Sequence, residues 1–122
     1  MSILASLKKL FRKPFQTVNA ADVAGLLAGG AVLLDVRDKH EWQAGHAPKA
    51  RHIPLSQLPN RLGELSAAPM IITVCRSGMR SAQAARLLAG HGRPVVNLSG
   101  GMHAWARAGL PVTAKSGTGR II

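Results

Sequence analysis

Cysteine is almost missing from this chain: among 122 residues only Cys75 carries a thiol. One thiol cannot close an internal disulfide, so the sequence does not describe an oxidised, disulfide-stapled scaffold. The usual multi-cysteine zinc sites are excluded as well. The five histidines, at positions 40, 46, 52, 91 and 103, contain no i, i+4 ligand pair. No metal ion and no cofactor is expected. Aromatic residues are also scarce, at 3% with no tyrosine, so packing must rest on Leu, Val, Ile and Ala. Acidic side chains number only 5 against 16 basic ones, a net charge of +11. That excess is spread along the chain. Residues 1–18 carry +4, residues 19–112 carry +5 and residues 113–122 carry +2. Without a long basic block or aromatics to stack on bases, nucleic acid is not an expected partner. An anionic substrate accounts for part of the charge equally well.

The length suits one domain. Ahead of it, residues 1–16 read as a basic amphipathic extension. Ile3, Leu4, Leu7, Leu10 and Phe11 share one helical face, and Lys8, Lys9 and Arg12 lie largely on the other. A signal peptide would place its charges before the apolar stretch, and here they follow it. A bilayer span needs about 20 apolar residues, far more than this segment has. Residues 3–15 therefore offer a surface for a protein partner or an anionic membrane, or else a helix docked on its own domain. The expected location is the cytoplasm, with peripheral membrane contact through this segment left open.

Beyond Pro14 the pattern changes, and a compact domain is expected over 17–112. Asn19 suits a helix N-cap, with Asp22 in the first turn, Val23, Leu26 and Leu27 as the apolar stripe, and Gly29-Gly30 as the stop. Short apolar runs at 31–36, 70–74 and 95–98 suit buried parallel strands. Segments 81–89 and 102–108 read as helices, ending at Gly90 and Gly109. Strands alternating with helices predict an α/β fold of three layers, a central parallel sheet with helices on both faces. Residues 113–122 read as a flexible tail.

Chemistry concentrates where the second apolar run ends, in Val74-Cys75-Arg76-Ser77-Gly78-Met79-Arg80-Ser81. This order places the thiol at the carboxyl end of a parallel strand, where open α/β sheets hold their ligands. A loop curling round Cys75 would aim backbone N–H groups at the sulfur, and the following helix N-terminus adds about half a positive charge. Arg76 and Arg80 add two full charges nearby. All of these favour thiolate over thiol. Gly78 supplies the backbone freedom of a tight curl. A lone cysteine is often a small buried hydrophobe. Such a residue would sit inside the strand among apolar neighbours, not immediately before Arg-Ser-Gly.

The loop from Cys75 to Ser81 resembles the active-site loop of single-domain rhodaneses, the thiosulfate and persulfide sulfurtransferases. Two further stretches are similar in the same order. One runs from Leu33-Leu34-Asp35-Val36-Arg37 through Glu41-Trp42 and Gly45-His46 to Ile53-Pro54-Leu55. The other runs from Asn97-Leu98-Ser99-Gly100-Gly101 through Trp105 to Gly109-Leu110-Pro111-Val112. The sequence departs from the family pattern at Ala47, Lys49 and Arg51. The resemblance implies a rhodanese-like fold and a sulfur-transfer mechanism. Thiolate Cys75 takes the outer sulfur of thiosulfate or a persulfide, then passes it to cyanide or a thiol. The implied substrate-binding loop is Arg76, Ser77, Gly78, Met79, Arg80 and Ser81. Arg80 is expected to hold the anionic end of the donor, and Arg76 could share that role or face solvent. Asp35, Arg37 and Glu41 are expected to brace the site by pairing with one another or with loop amides. Donor contact, foremost by Arg37, is the alternative. His46 suits a turn cap, and Trp42 and Trp105 suit packing.

Two rival functions remain at this level. Cys-(x)n-Arg loops also serve phosphoryl transfer, but only four residues separate Cys75 from Arg80. The related phosphatases, by the same resemblance, use a loop one residue longer. The second rival is a non-enzymatic sulfur carrier or protein-binding module.

Overall fold

The computed structural model describes residues 14–122, so the amphipathic face of residues 3–11 lies outside the described residues. Each predicted apolar run forms a strand. In chain order the central sheet comprises β1 (Gln16–Val18), β2 (Val32–Asp35), β3 (Arg51–His52), β4 (Ile71–Val74) and β5 (Val95–Leu98). All neighbours are parallel, in the order β1-β5-β4-β2-β3. Cys75 follows β4, the central strand, whose residues Ile71, Ile72, Thr73 and Val74 are all buried. A continuous apolar strand is what burial on both faces requires.

Helices α1 (Ala20–Ala28), α2 (Lys39–Ala44), α3 (Met79–Gly90) and α4 (Gly101–Arg107) connect these strands, with two 3₁₀ turns at Leu55–Asn60 and Leu62–Leu65. Strand alternation divides the core into two clusters. Leu34, Ile71, Ala84, Ala85 and Leu88 pack on the α3 side together with Leu58 and Leu65 from the 3₁₀ turns. Leu33, Ile72, Val74, Leu98 and Trp105 pack on the side of α1 and α4 together with Val23. Neighbouring residues of one strand, such as Leu33 and Leu34, thus serve opposite layers. The three-layer architecture expected from the sequence is present.

Local capping matches the sequence reading at α1, where Asn19 Oδ1 accepts from the Asp22 amide at 3.1 Å. The larger differences lie at three boundaries. Phe15 is buried under α3 and β1 begins at Gln16, so the described fold starts ahead of residue 17. Helix α3 begins at Met79, two residues before the expected start, because Gly78 at φ 125° provides the N-cap turn. Residues 113–122 are not a loose tail in the structure. They form a hairpin, β6 (Thr113–Ala114) with β7 (Gly117–Thr118), and His46 and Thr113 exchange backbone hydrogen bonds of 2.9 and 2.8 Å. Backbone pairing with a loop some seventy positions upstream supplies order that the local composition lacks. Among the described residues no helix is long and apolar enough to cross a membrane.

Candidate active site

The site begins with a strand that ends on a thiol. Cys75 is 1% exposed and its Sγ lies beneath the loop that joins β4 to α3. The Gly78 amide donates to Sγ at 3.0 Å and the Ser81 hydroxyl approaches it at 3.3 Å. Burial alone pushes the thiol pKa up. Hydrogen bonds from the Ser81 hydroxyl and from the amides of Ser81, Gly78 and Ser77 outweigh it, so the net displacement is downward. The positive end of α3 acts in the same direction. These donors stabilise a thiolate without any neighbouring base.

Ser81 Oγ carries one proton and faces two acceptors, Cys75 Sγ and the Gly78 carbonyl, the latter at 3.2 Å. Asn97 Nδ2 also donates to that carbonyl, at 3.3 Å. The carbonyl therefore keeps a donor when the serine proton turns to sulfur. Asn97 is itself held by Thr73, whose hydroxyl donates to Asn97 Oδ1 at 3.2 Å. Thr73 and Asn97 belong to β4 and β5, so the apex of the loop is pinned to the sheet.

A second anchor comes from α4. The Met102 amide donates to the Cys75 carbonyl at 2.8 Å and the His103 amide to the Arg76 carbonyl at 3.2 Å. These bonds turn the first carbonyls of the loop toward α4. Gly101 makes this approach feasible: its φ is 57°, and a Cβ there would stand 2.6 Å from the Arg76 carbonyl carbon. Thr73, Asn97 and Gly101 were not singled out as site residues from the sequence. Polar Thr73 and Asn97 inside buried strands were the local signals.

The charged residues separate into two pairs. Arg37 and Asp35 are fully buried at the end of β2, with Arg37 Nη2 donating to Asp35 Oδ2 and to the Gly45 carbonyl, each at 2.7 Å. Arg37 Nη1, equally buried, has no hydrogen-bond partner among the described residues. Arg80 Nη1 and Nη2 donate to the two oxygens of Glu41 at 2.6 and 2.9 Å, clamping α3 to α2. The hydrogen bonds from Arg80 hold the Glu41 carboxyl down at about 2, against the opposing effect of its burial. Glu41 in turn raises the Arg80 pKa. Arg80, expected to hold the donor's anionic end, is paired with Glu41 in this structure.

Of the remaining loop residues, Arg76 is exposed and its Nε donates to the Ile122 carbonyl at 2.8 Å. Ser77 is exposed, and Met79 is 80% exposed at the rim. His46 Nδ1 lies 2.7 Å from the Trp42 carbonyl, a turn-capping contact. Trp105 is buried, with Nε1 donating to the Pro111 carbonyl at 2.8 Å. Trp42, read as a packing residue, is only half-buried and stacks on His46 and His52. Among the described residues no group of His, Cys, Asp and Glu is arranged to hold a metal ion.

Known proteins share this fold. The family model for the Rhodanese-like domain matches residues 19–108. A sulfurtransferase of Allochromatium vinosum is 42% identical over 88 residues, which cover 70% of this chain and 81% of that protein. An HTH-type transcriptional regulator of Mycobacterium tuberculosis is 42% identical over 87 residues, and there the matched part is 38% of the longer protein. Among solved structures, a rhodanese-related protein from Thermoplasma volcanium superposes with a TM-score of 0.77 at 30% identity, covering 83% of this chain and 100% of that one. A thiosulfate sulfurtransferase from Pseudomonas aeruginosa gives 0.74 at 31% identity, covering 84% of this chain and 20% of that one. With most of the chain matched and the thiolate loop in place, this protein belongs to the rhodanese-like family.

Proposed function

We propose that the protein is a sulfurtransferase working through a persulfide on Cys75. The observation that carries this reading is the hydrogen-bonded sulfur itself, ringed by N–H and O–H donors and needing no general base. The thiolate attacks the outer sulfur of thiosulfate or of a persulfide. The S–S bond of the donor breaks, its electron pair leaves with sulfite or a thiolate, and Cys75 carries the terminal sulfur with the negative charge. Donors that stabilised the thiolate then stabilise the persulfide anion, much as an oxyanion hole serves oxygen. Cyanide or a thiolate takes the outer sulfur, giving thiocyanate or a new persulfide and restoring the Cys75 thiolate. Because Cys75 is 1% exposed, the site favours reagents that present a slender terminal sulfur over branched electrophiles.

Phosphoryl transfer is disfavoured by the same geometry, since both terminal nitrogens of Arg80 are committed to Glu41. The test supplies thiosulfate and cyanide to the protein and, separately, an aryl phosphate. Thiocyanate formed by the wild type and abolished in Cys75→Ser is the expected result. Phosphate release without thiocyanate would overturn the reading. A stable single sulfur on Cys75 with slow release to small acceptors would identify a carrier that needs a protein acceptor.

A further inference from the structure

A cleft of about 570 Å³ opens beside α2, and none of the chemistry above uses it. That volume lies in the range of small-molecule sites. At 100° per residue, Lys39, Trp42 and Gln43 share one face of α2 while Glu41 occupies the opposite face, toward Arg80. The first three line the cleft, so it lies across the helix from the sulfur site. His52 of β3 also lines it. Asp35 pairs with both His52 and Val74, so β3 lies two strands, roughly 10 Å, from the strand bearing Cys75.

The lining has an unusual chemistry. Trp42 stacks on His46 with ring centres 3.6 Å apart and planes within 6°, and on His52 at 4.8 Å and 7°. The three near-parallel rings form a stack with Trp42 at its centre. Lys39 and Lys115 are exposed and, among the described residues, neither pairs with a carboxylate. Arg61 is held by Glu64 at 2.6 Å and by Gln57 at 2.8 Å, which neutralises its charge and fixes its guanidinium plane. No Asp or Glu lines the cleft, and Asp38, beside Lys39, lies 3.8 Å from Arg80. Lys115 comes from the turn between β6 and β7, so the C-terminal hairpin completes one wall.

We propose that this cleft binds a planar aromatic anion of mononucleotide size, its ring extending the His46–Trp42–His52 stack and its anionic group between Lys39 and Lys115. A ring alone would gain only stacking, and a small anion alone would gain only screened attraction to two exposed ammonium groups. The combination selects a molecule carrying both.

Calorimetric titration of the full chain with adenosine 5′-monophosphate, adenosine and inorganic phosphate tests this, with tryptophan fluorescence as a second readout. The expected result is saturable one-to-one binding of the nucleotide, about tenfold tighter than either fragment. Lys39→Ala and Lys115→Ala should each weaken it by about threefold, and Cys75→Ser should leave it unchanged. Absence of saturable binding would overturn the proposal. So would equal binding of phosphate or of adenosine, indifference to both lysine substitutions, or loss of binding in Cys75→Ser, which would place the nucleotide at the sulfur site.

Discussion

Replacing Ser81 by alanine isolates one donor to the reactive sulfur. The Ser81 hydroxyl lies 3.3 Å from Cys75 Sγ, and the Gly78 amide lies 3.0 Å from it. Removing the hydroxyl leaves the amide in place, and Asn97 still serves the Gly78 carbonyl, so the loop keeps its anchor. A hydrogen bond to a charged acceptor contributes about 1.5–3 kcal/mol, and the diffuse charge of sulfur argues for the lower end. The thiolate-to-thiol ratio should therefore fall roughly tenfold at any pH where both forms are present. Ultraviolet absorbance of the thiolate measures this without requiring a reagent to reach a buried sulfur. The chain suits the assay, because Cys75 is the only thiol and there is no tyrosine to ionise nearby. The titration midpoint of Ser81→Ala should move upward, while both proteins coincide in denaturant. Overlaid folded-state titrations would refute the idea that the serine stabilises the charged sulfur.

Further expectations follow from the Arg80–Glu41 clamp and from the packing of α4 on the loop. The Glu41 carboxyl is depressed from 4.5 to about 2 by Arg80, so its stabilisation is complete above pH 4.5 and is lost as pH falls toward 2. Glu41→Gln should flatten acid denaturation over that window and cost about 2 kcal/mol at neutral pH, the partial exposure of Arg80 keeping the value modest. Gly101→Ala should destabilise the protein by about 3 kcal/mol in urea unfolding and blunt Cys75 reactivity, because positive φ and a backbone clash act together. Gly92→Ala, at φ 74° with open space around it, should cost only about 1 kcal/mol and leave reactivity unchanged. Equal losses at positions 92 and 101 would remove the argument for close packing of α4 on the loop.

The central strands were legible because β2, β4 and β5 are short apolar runs bounded by Gly, Pro or charge, and burial on both faces demands that pattern. Strands β1 and β3 were not, because Gln16, Thr17 and Arg51 are exposed and exist as strands through edge pairing alone. The hairpin at the C-terminus likewise depends on His46, a partner no local window contains. Cys75 could be chosen from sequence because its position after a strand and before a glycine loop is a local property. The pairing of Arg80 was harder to read. Its bidentate partner Glu41 lies 39 residues away, and nothing within the loop distinguishes an arginine that holds a substrate from one that braces a helix. Gly101 acts on the carbonyls of Cys75 and Arg76, a relation that only the docked position of α4 reveals.

Intact-mass measurement after exposure to thiosulfate reads directly whether Cys75 takes up sulfur. The expected result is a gain of one sulfur atom on the wild-type chain, mapped to Cys75, removed by cyanide and missing from Cys75→Ser. An unchanged mass, or a gain that persists in Cys75→Ser, would contradict it.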